Sequence, residues 1–353
     1  MARVWDIPVY DSTRVRDVRV AAEAAGAHLR LGPHRTAVAA LVATELATNL
    51  VKHASGGRIV IGLLDRPGAI TRTPGLQLTA IDYGPGIRDI GAAVQDGYTT
   101  SEASLGAGLG TCRRISSAFD LYSTPRGTIA VARVDQEPAP RRERGRPAPR
   151  AGGINVPLGR AEHSGDAWSC ARTDTRLTLM LADGLGHGAR AAHASGAAVE
   201  DLHRSAHLPP EEILRHMHPA LRPTRGAAVA VAQVDTEAGE LAFAGVGNIR
   251  ARLYTGDSWE SLISHPGIVG AQFPATVPVR RLPWRPGSLL VLHSDGLPSR
   301  WAPPEDPGLL TRDPAVIAAT ILRDASSSAR PVRDDTSVAV LASDSVDRPN
   351  DPV

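Results

Sequence analysis

Residues 82–110 read DYGPGIRDIGAAVQDGYTTSEASLGAGLG, and both glycine-rich ends of this stretch are typical of a nucleotide pocket. The strand predicted at residues 75–82 ends in Asp82, whose carboxylate can accept a hydrogen bond from an adenine amino group. Gly84 and Gly86 follow, and they let the backbone approach the ring. Three further glycines lead into a predicted helix, where free N–H groups and the helix dipole favour phosphate. They are Gly106, Gly108 and Gly110. Either motif alone is weak, because each is common.

A polar stripe lies on the helix predicted over residues 34–53. Glu45, Asn49 and His53 are spaced four apart and therefore share one face. The neighbouring face is apolar and would pack on a sheet. Asn49 supplies a neutral oxygen of the kind that Mg²⁺ accepts beside substrate phosphates. Glu45 could accept a proton from an attacking hydroxyl, although the stripe alone also fits a solvated helix surface.

The three motifs together, in this order, resemble the GHKL ATPase fold of histidine kinases, gyrase-type ATPases and anti-sigma-factor kinases. The stretch 82–110 is similar to the RsbT branch, the serine/threonine switch kinases of bacterial stress signalling. The resemblance implies ATP and Mg²⁺ as cofactors, with Glu45 as catalytic base and Asn49 as Mg²⁺ ligand. It also implies that residues 89–105 form a lid over ATP. The implied nucleotide-binding residues are Asn49, Asp82, Gly84, Gly86, Gly106, Gly108, Gly110 and Thr128.

Acidic residues lie at the ends of several strands predicted in the second half of the chain. Asp166 begins one strand, and Asp183 ends the next within LADGLGHG at 181–188. Asp295 follows another strand, and the Asp334–Asp335 pair precedes the last one. Strand ends converge on one rim of a sandwich, where a carboxylate cluster needs cations to offset its charge. Oxygen ligands favour Mg²⁺ or Mn²⁺ over zinc, and two such ions can activate a bridging water.

Residues 153–342 resemble the metal-dependent PPM protein phosphatases, and the motif at 183–188 is similar to the SpoIIE/RsbX branch. The resemblance implies two Mn²⁺ or Mg²⁺ ions, with Asp183 as the bridging catalytic ligand. The other implied ligands are the Gly184 carbonyl, Asp166, Asp295 and Asp334, with Asp335 the weaker candidate of its pair. His187 is either an acid or a structural histidine. Arg160 is a candidate for holding the substrate phosphate.

Length and composition indicate two domains in this chain of 353 residues, of which 42% are hydrophobic. We expect an α/β (α+β) protein: a two-layer GHKL sandwich at 1–134, then a four-layer αββα PPM sandwich at 153–343. The Pro- and Arg-rich residues 135–152 are predicted to form a linker, and residues 344–353 a disordered tail. Ser12 is predicted to cap the first long helix.

Charge and cysteine content exclude several classes of protein. The net charge of +2 is too small to predict nucleic acid binding. The two cysteines are far apart, which argues against a disulfide scaffold or structural zinc. No apolar run predicts a signal peptide or membrane span, so we expect a cytoplasmic protein.

The two resemblances together imply a bifunctional switch that adds and removes phosphate on Ser or Thr of a partner. The implied partner is a STAS-domain anti-sigma antagonist or a stressosome protein. Alternatively, the first domain is a non-catalytic ATP-binding module that sequesters a sigma factor or another protein, or an ATP sensor for the phosphatase. The sequence leaves the oligomeric state open.

Overall fold

A computed structural model describes residues 3–67, 72–93, 108–137, 148–298, 301–326 and 334–343. The chain divides into two compact units: of the described residues, one contains 4–66 and 72–137, and the other contains those from residue 148 onward together with Arg3 and Pro67. No helix in these described ranges is long and apolar enough to cross a membrane.

The first unit contains a five-stranded sheet and two long helices. Its described elements are β1 (Val4–Val9), α1 (Ser12–His28), α2 (Pro33–His53), β2 (Gly57–Pro67), β3 (Arg72–Ile81), α3 (Ile90–Ala93), α4 (Gly108–Ile115), β4 (Ala118–Thr124) and β5 (Gly127–Asp135). The strand order is β1-β2-β3-β5-β4. Small and branched side chains of α1 and α2 pack with the sheet in one core that includes Val42, Leu46, Ile59 and Leu78. This is the expected two-layer sandwich.

The caps of the two long helices explain where they begin. Asp11 caps α1, since its Oδ1 accepts hydrogen bonds from the N–H groups of Thr13 at 2.9 Å and Arg14 at 3.4 Å. The prediction of Ser12 as the cap was wrong by one residue, because Asp11 already occupies the extended cap conformation and Ser12 is helical. α2 begins with Pro33, which needs no N–H partner in the first turn.

The second unit contains two five-stranded sheets and four helices among its described residues. Its elements are β6 (Arg150–Val156), a 3₁₀ turn (Leu158–Arg160), β7 (Asp166–Arg172), β8 (Arg176–Gly184), α5 (Ala189–Ser205), α6 (Pro210–Leu221), β9 (Ala227–Asp235), β10 (Glu240–Val246), β11 (Arg250–Tyr254), β12 (Trp259–Ile263), β13 (Arg280–Pro283), β14 (Leu289–His293), α7 (Pro307–Leu310), α8 (Pro314–Ala325) and β15 (Thr336–Ala342).

The two sheets of the second unit pack face to face between helices. Their strand orders are β13-β10-β9-β8-β7 and β12-β11-β14-β15-β6. One apolar core lies between the sheets, with Leu179, Phe243 and Leu292 among its members. A second core lies beneath α5 and α6, while α8 packs on β6 and β15. The layers are therefore helix, sheet, sheet and helix, as expected.

Strand pairing defines the two ends of the segment predicted as a linker. β5 extends to Asp135, and β6 begins at Arg150, where it pairs with Ala342 of β15. Residues 150–152, which were assigned to the linker, thus belong to a sheet. Residues 138–147 and the predicted tail at 344–353 lie outside the described residues.

Candidate active sites

The first candidate site lies where α2 meets the start of α4. Glu45 and Asn49 are half-buried on adjacent turns of α2. Gly108 is the first residue of α4, and a Cβ built on it would lie 2.9 Å from Glu45 Oε2 and 3.6 Å from Asn49 Oδ1. The helical period and the packing of α2 on α4 therefore bring the acid, the amide and a glycine together.

Asn49 carries an unsatisfied polar atom in this site. Its Nδ2 is buried and has no hydrogen-bond partner within the described structure. A buried amide nitrogen without a partner costs about 1–3 kcal/mol, and a ligand that accepts a hydrogen bond from it would relieve that cost. The amide can rotate to present either its oxygen or its nitrogen. These residues fit a bound Mg²⁺–nucleotide.

Asp82 closes the turn that follows β3, the central strand of the sheet. Its Oδ1 accepts hydrogen bonds from Gly84 N at 2.8 Å and Thr128 N at 3.0 Å, so this carboxylate joins the end of β3 to the start of β5. Gly86 has φ +78°, and a Cβ there would lie 2.2 Å from Thr124 O, which only glycine avoids.

Ser123 is a positioning residue that the sequence did not reveal. Its Oγ accepts from Ile87 N at 2.8 Å and lies 2.8 Å from Thr128 Oγ1, so it holds the glycine turn against β5. Gly110 is buried in α4. Gly106 and residues 94–105 of the predicted lid lie outside the described residues.

The second candidate site lies at one end of the sheet sandwich. Asp166 and Asp183 stand opposite each other at the start of β7 and the end of β8. Asp295 follows β14, and Asp334 and Asp335 precede β15, its antiparallel neighbour. Each sheet thus contributes acids to the same rim, as strand-end convergence predicts.

Ser294 connects the two sheets beneath these acids. Its Oγ donates to Asp166 Oδ2 at 2.7 Å and accepts from Ser337 N at 2.9 Å. The adjacent His293 is buried, with Nδ1 donating to Ser294 O at 2.9 Å and Nε2 accepting from Trp301 Nε1 at 3.0 Å. Burial lowers the pKa of His293 to about 4, which keeps the ring neutral in this arrangement.

Asp335 and Asn248 orient other parts of the rim. Asp335 accepts hydrogen bonds from Leu158 N and Gly165 N, each at 2.7 Å. Both of its oxygens are thus engaged by the backbone, whereas Asp334 is exposed. Asn248 Nδ2 donates to Asp295 Oδ2 at 2.8 Å and so orients that carboxylate.

The electrostatics of the rim favour uptake of positive charge. Burial raises the pKa of Asp183 to about 7, with further increases from Asp295, Asp334 and Asp335. Burial and the Asp183 charge raise the pKa of Asp166 well above its usual value. Asp166 Oδ1 is buried without a hydrogen-bond partner among the described residues. A cluster of such acids fits divalent cations, which offset the repulsion better than protons at neutral pH.

The described carboxylates lie along one rim without forming a complete set of metal ligands. Among the described residues, no three His, Cys, Asp or Glu side chains are arranged to hold a metal ion together. Gly184 ends β8 beside Ala191.

His187 is exposed and lacks a hydrogen bond to any described residue, so it is not a buried structural histidine. The side chain of Arg160 lies outside the described part.

Comparisons with known proteins match both units. The family model of a histidine kinase-like ATPase domain matches residues 10–134, and that of stage II sporulation protein E (SpoIIE) matches residues 173–343. The phosphoserine phosphatase RsbX of Bacillus subtilis is 30% identical over 136 residues, which cover 38% of this chain and 67% of RsbX. The serine/threonine-protein kinase RsbT of Bacillus subtilis is 40% identical over 80 residues.

The match to RsbT is partial, since it covers 23% of this chain and 56% of RsbT. A crystal structure of RsbX with magnesium superposes with a TM-score of 0.46 at 21% identity, over 57% of this chain and 98% of that one. The RsbX match in sequence covers two thirds of the relative. The chain therefore belongs to the SpoIIE/RsbX family of phosphatases, with a histidine kinase-like ATPase domain joined in front of the phosphatase domain.

Proposed function

We propose that this chain is a bifunctional signalling enzyme. The second unit removes phosphate from phosphoserine or phosphothreonine of a partner protein with two Mn²⁺ or Mg²⁺ ions. The first unit transfers phosphate from ATP to Ser or Thr of the same partner or a related one. The observation that carries this proposal is the placement of the site residues: both sheets of the second unit bring acids to one rim, and Glu45 and Asn49 of the first unit lie beside the start of α4.

The acids of the rim divide into ligands and positioning residues. Asp166, Asp183, Asp295, Asp334 and the Gly184 carbonyl would hold the cations, which when bound supply charge to activate water and neutralise the phosphoryl group. Ser294 fixes one oxygen of Asp166 and leaves the other available. Asn248 fixes Asp295. Asp335 holds the backbone on which Asp166 is placed, since Gly165 directly precedes Asp166.

The kinase reaction would use the α2 stripe. Glu45 accepts the proton of the attacking Ser or Thr hydroxyl, which makes that oxygen a better nucleophile. Asn49 would hold Mg²⁺ on the ATP phosphates, and the start of α4 lies close enough to both residues for its N–H groups to contact phosphate. Asp82, which is largely buried, would read the adenine ring.

The partner is proposed to be a STAS-type anti-sigma antagonist or a stressosome protein. The relatives RsbX and RsbT are named as a phosphoserine phosphatase and a serine/threonine kinase, so they carry opposite activities in separate chains. Having both in one chain fits control of one phosphorylation site. We also infer a cytoplasmic location, where ATP is available.

Hydrolysis of an aryl phosphate tests the phosphatase half. The full chain should hydrolyse it with Mn²⁺ or Mg²⁺ and stop when a chelator is added. Asp183→Asn should lower kcat by about 100-fold or more, since Asp183 would help to hold both ions. Asp174→Asn is the matched control, because Asp174 is exposed in the turn at the far end of the same β7–β8 hairpin. Equal activity of the two variants would contradict the assigned site.

A further inference from the structure

One guanidinium beside the acidic rim has no assigned role. Arg225 lies in the connection between α6 and β9 and is exposed. It is next to Gly186 of the Asp183–Gly188 loop, because a Cβ built on Gly186 would be 2.7 Å from Arg225 Nη1. Gly186 has φ +88°, a left-handed backbone conformation that favours glycine.

Hydrogen bonds fix the backbone around Arg225 to the acidic rim. Gly226 N donates to Thr224 Oγ1 at 2.9 Å, and Gly226 O accepts from Leu185 N at 3.0 Å. The next residue, Ala227, exchanges two hydrogen bonds of 2.9 Å with Val269. Gly226, which follows Arg225, is therefore hydrogen-bonded to the loop that follows Asp183.

Gly186 lies between Arg225 and Gly165, and Gly165 is in turn next to the Asp335 carboxylate. A Cβ built on Gly165 would lie 3.3 Å from Gly186 O and 2.9 Å from Asp335 Oδ2. The guanidinium thus lies at the edge of the acid cluster and outside it.

Arg225 also retains its hydrogen-bonding capacity. It forms no ion pair or hydrogen bond with any residue in the described part of the chain. Arg176 in the same unit, by contrast, is paired with Asp235 at 3.2 Å. A guanidinium presents a planar fork of donors that matches two phosphate oxygens. An unpaired arginine at the edge of an acidic site is suited to an anion that arrives with the substrate.

We propose that Arg225 binds the phosphoryl oxygens of the phosphoserine or phosphothreonine substrate. The proposal rests on the phosphatase function inferred above and adds the residue that holds the substrate's charge. Arg225 donates hydrogen bonds to two non-bridging oxygens and neither gains nor loses a proton. Its second effect is orientation, since a bidentate contact fixes rotation of the phosphoryl group relative to Asp183.

Binding of inorganic phosphate to the Mn²⁺-loaded full chain tests this proposal by calorimetry. Arg225→Ala should weaken phosphate affinity about 10- to 100-fold, the range for loss of a charge-assisted hydrogen bond. The phosphate affinity of Arg225→Lys should lie between those of wild type and Arg225→Ala, because lysine keeps the positive charge but lacks the planar fork of donors. Arg222→Ala is the control, since Arg222 is an exposed arginine of the same connection. It should bind phosphate as the wild type does.

Kinetics on the aryl phosphate separate the two proposals. Arg225→Ala should raise KM and the inhibition constant of phosphate while the Mn²⁺ concentration for half-maximal activity stays unchanged. Failure of wild type to hydrolyse the ester would contradict the phosphatase function, and calorimetry would still test Arg225. The inference would be overturned if folded Arg225→Ala and Arg225→Lys bound phosphate with the same affinity as Arg222→Ala. Arg225 would then only pack against Gly186.

Discussion

Asn49 and Asp166 each keep a buried polar atom unsatisfied within the described structure. Such an atom costs about 1–3 kcal/mol of folding free energy unless a ligand pairs with it. The helical spacing of Glu45 and Asn49 predicted that they share a face, and their proximity to Gly108 agrees with that. The roles of Ser123 and Ser294 were not predictable, because each depends on partners distant in sequence whose approach only the fold determines.

Replacing Asn49 tests the nucleotide site at the level of one residue. Asn49→Ala should remove Mg²⁺-dependent ATP binding, with affinity falling at least about 10-fold for a lost ligand and hydrogen bond. Calorimetry with ATP and Mg²⁺ measures this. His53→Ala is the matched control, since His53 is exposed one turn further along the same stripe. If Asn49→Ala bound ATP with the affinity of wild type, the polar stripe would not be part of the ATP site.

The elements of the second unit show which strands a sequence can reveal. Strands with several buried branched residues, such as β8, β9 and β15, can be recognised from their sequence. β12 and β13 were not predicted, because they are edge strands with mostly exposed side chains and little apolar alternation. β6 was missed because its glycines weaken the strand pattern.

Asp335 acts on the scale of elements, because it joins β15 to chain segments more than 150 residues earlier. Asp335→Ala should lower the free energy of unfolding of the metal-free protein by about 2 kcal/mol, the loss of two charge-assisted hydrogen bonds offset by relief of acid repulsion. Denaturant unfolding with chelator present measures it.

Asp334→Ala provides the comparison, because Asp334 is the exposed neighbour of Asp335. It should leave metal-free stability unchanged within about 0.5 kcal/mol and still lower Mn²⁺-dependent activity. If both variants lose stability equally, Asp335 is not the residue that fastens the 3₁₀ turn and the start of β7 to β15.

At the scale of the whole molecule, one chain joins two domains whose proposed reactions oppose each other. When a partner is bound at one site, covalent linkage raises the effective concentration of the other site near that partner. This concentration reaches millimolar values for short linkers. The order of the motifs along the chain was enough to predict that the first domain resembles a kinase and the second a phosphatase. The identity of the shared partner is not encoded in any local pattern, since recognition surfaces combine residues from distant elements.

The phosphorylation state of a STAS-type partner co-purified with this protein is the most direct test of the central proposal. Mass spectrometry after incubation with ATP, Mg²⁺ and Mn²⁺ should show partial phosphorylation with wild type and near-complete phosphorylation with Asp183→Asn. Glu45→Ala should give none, yet remove phosphate supplied beforehand, because the base is needed only for transfer from ATP. If Asp183→Asn binds the partner and ATP but transfers no phosphate, the two-enzyme account is wrong and the first unit is a binding module.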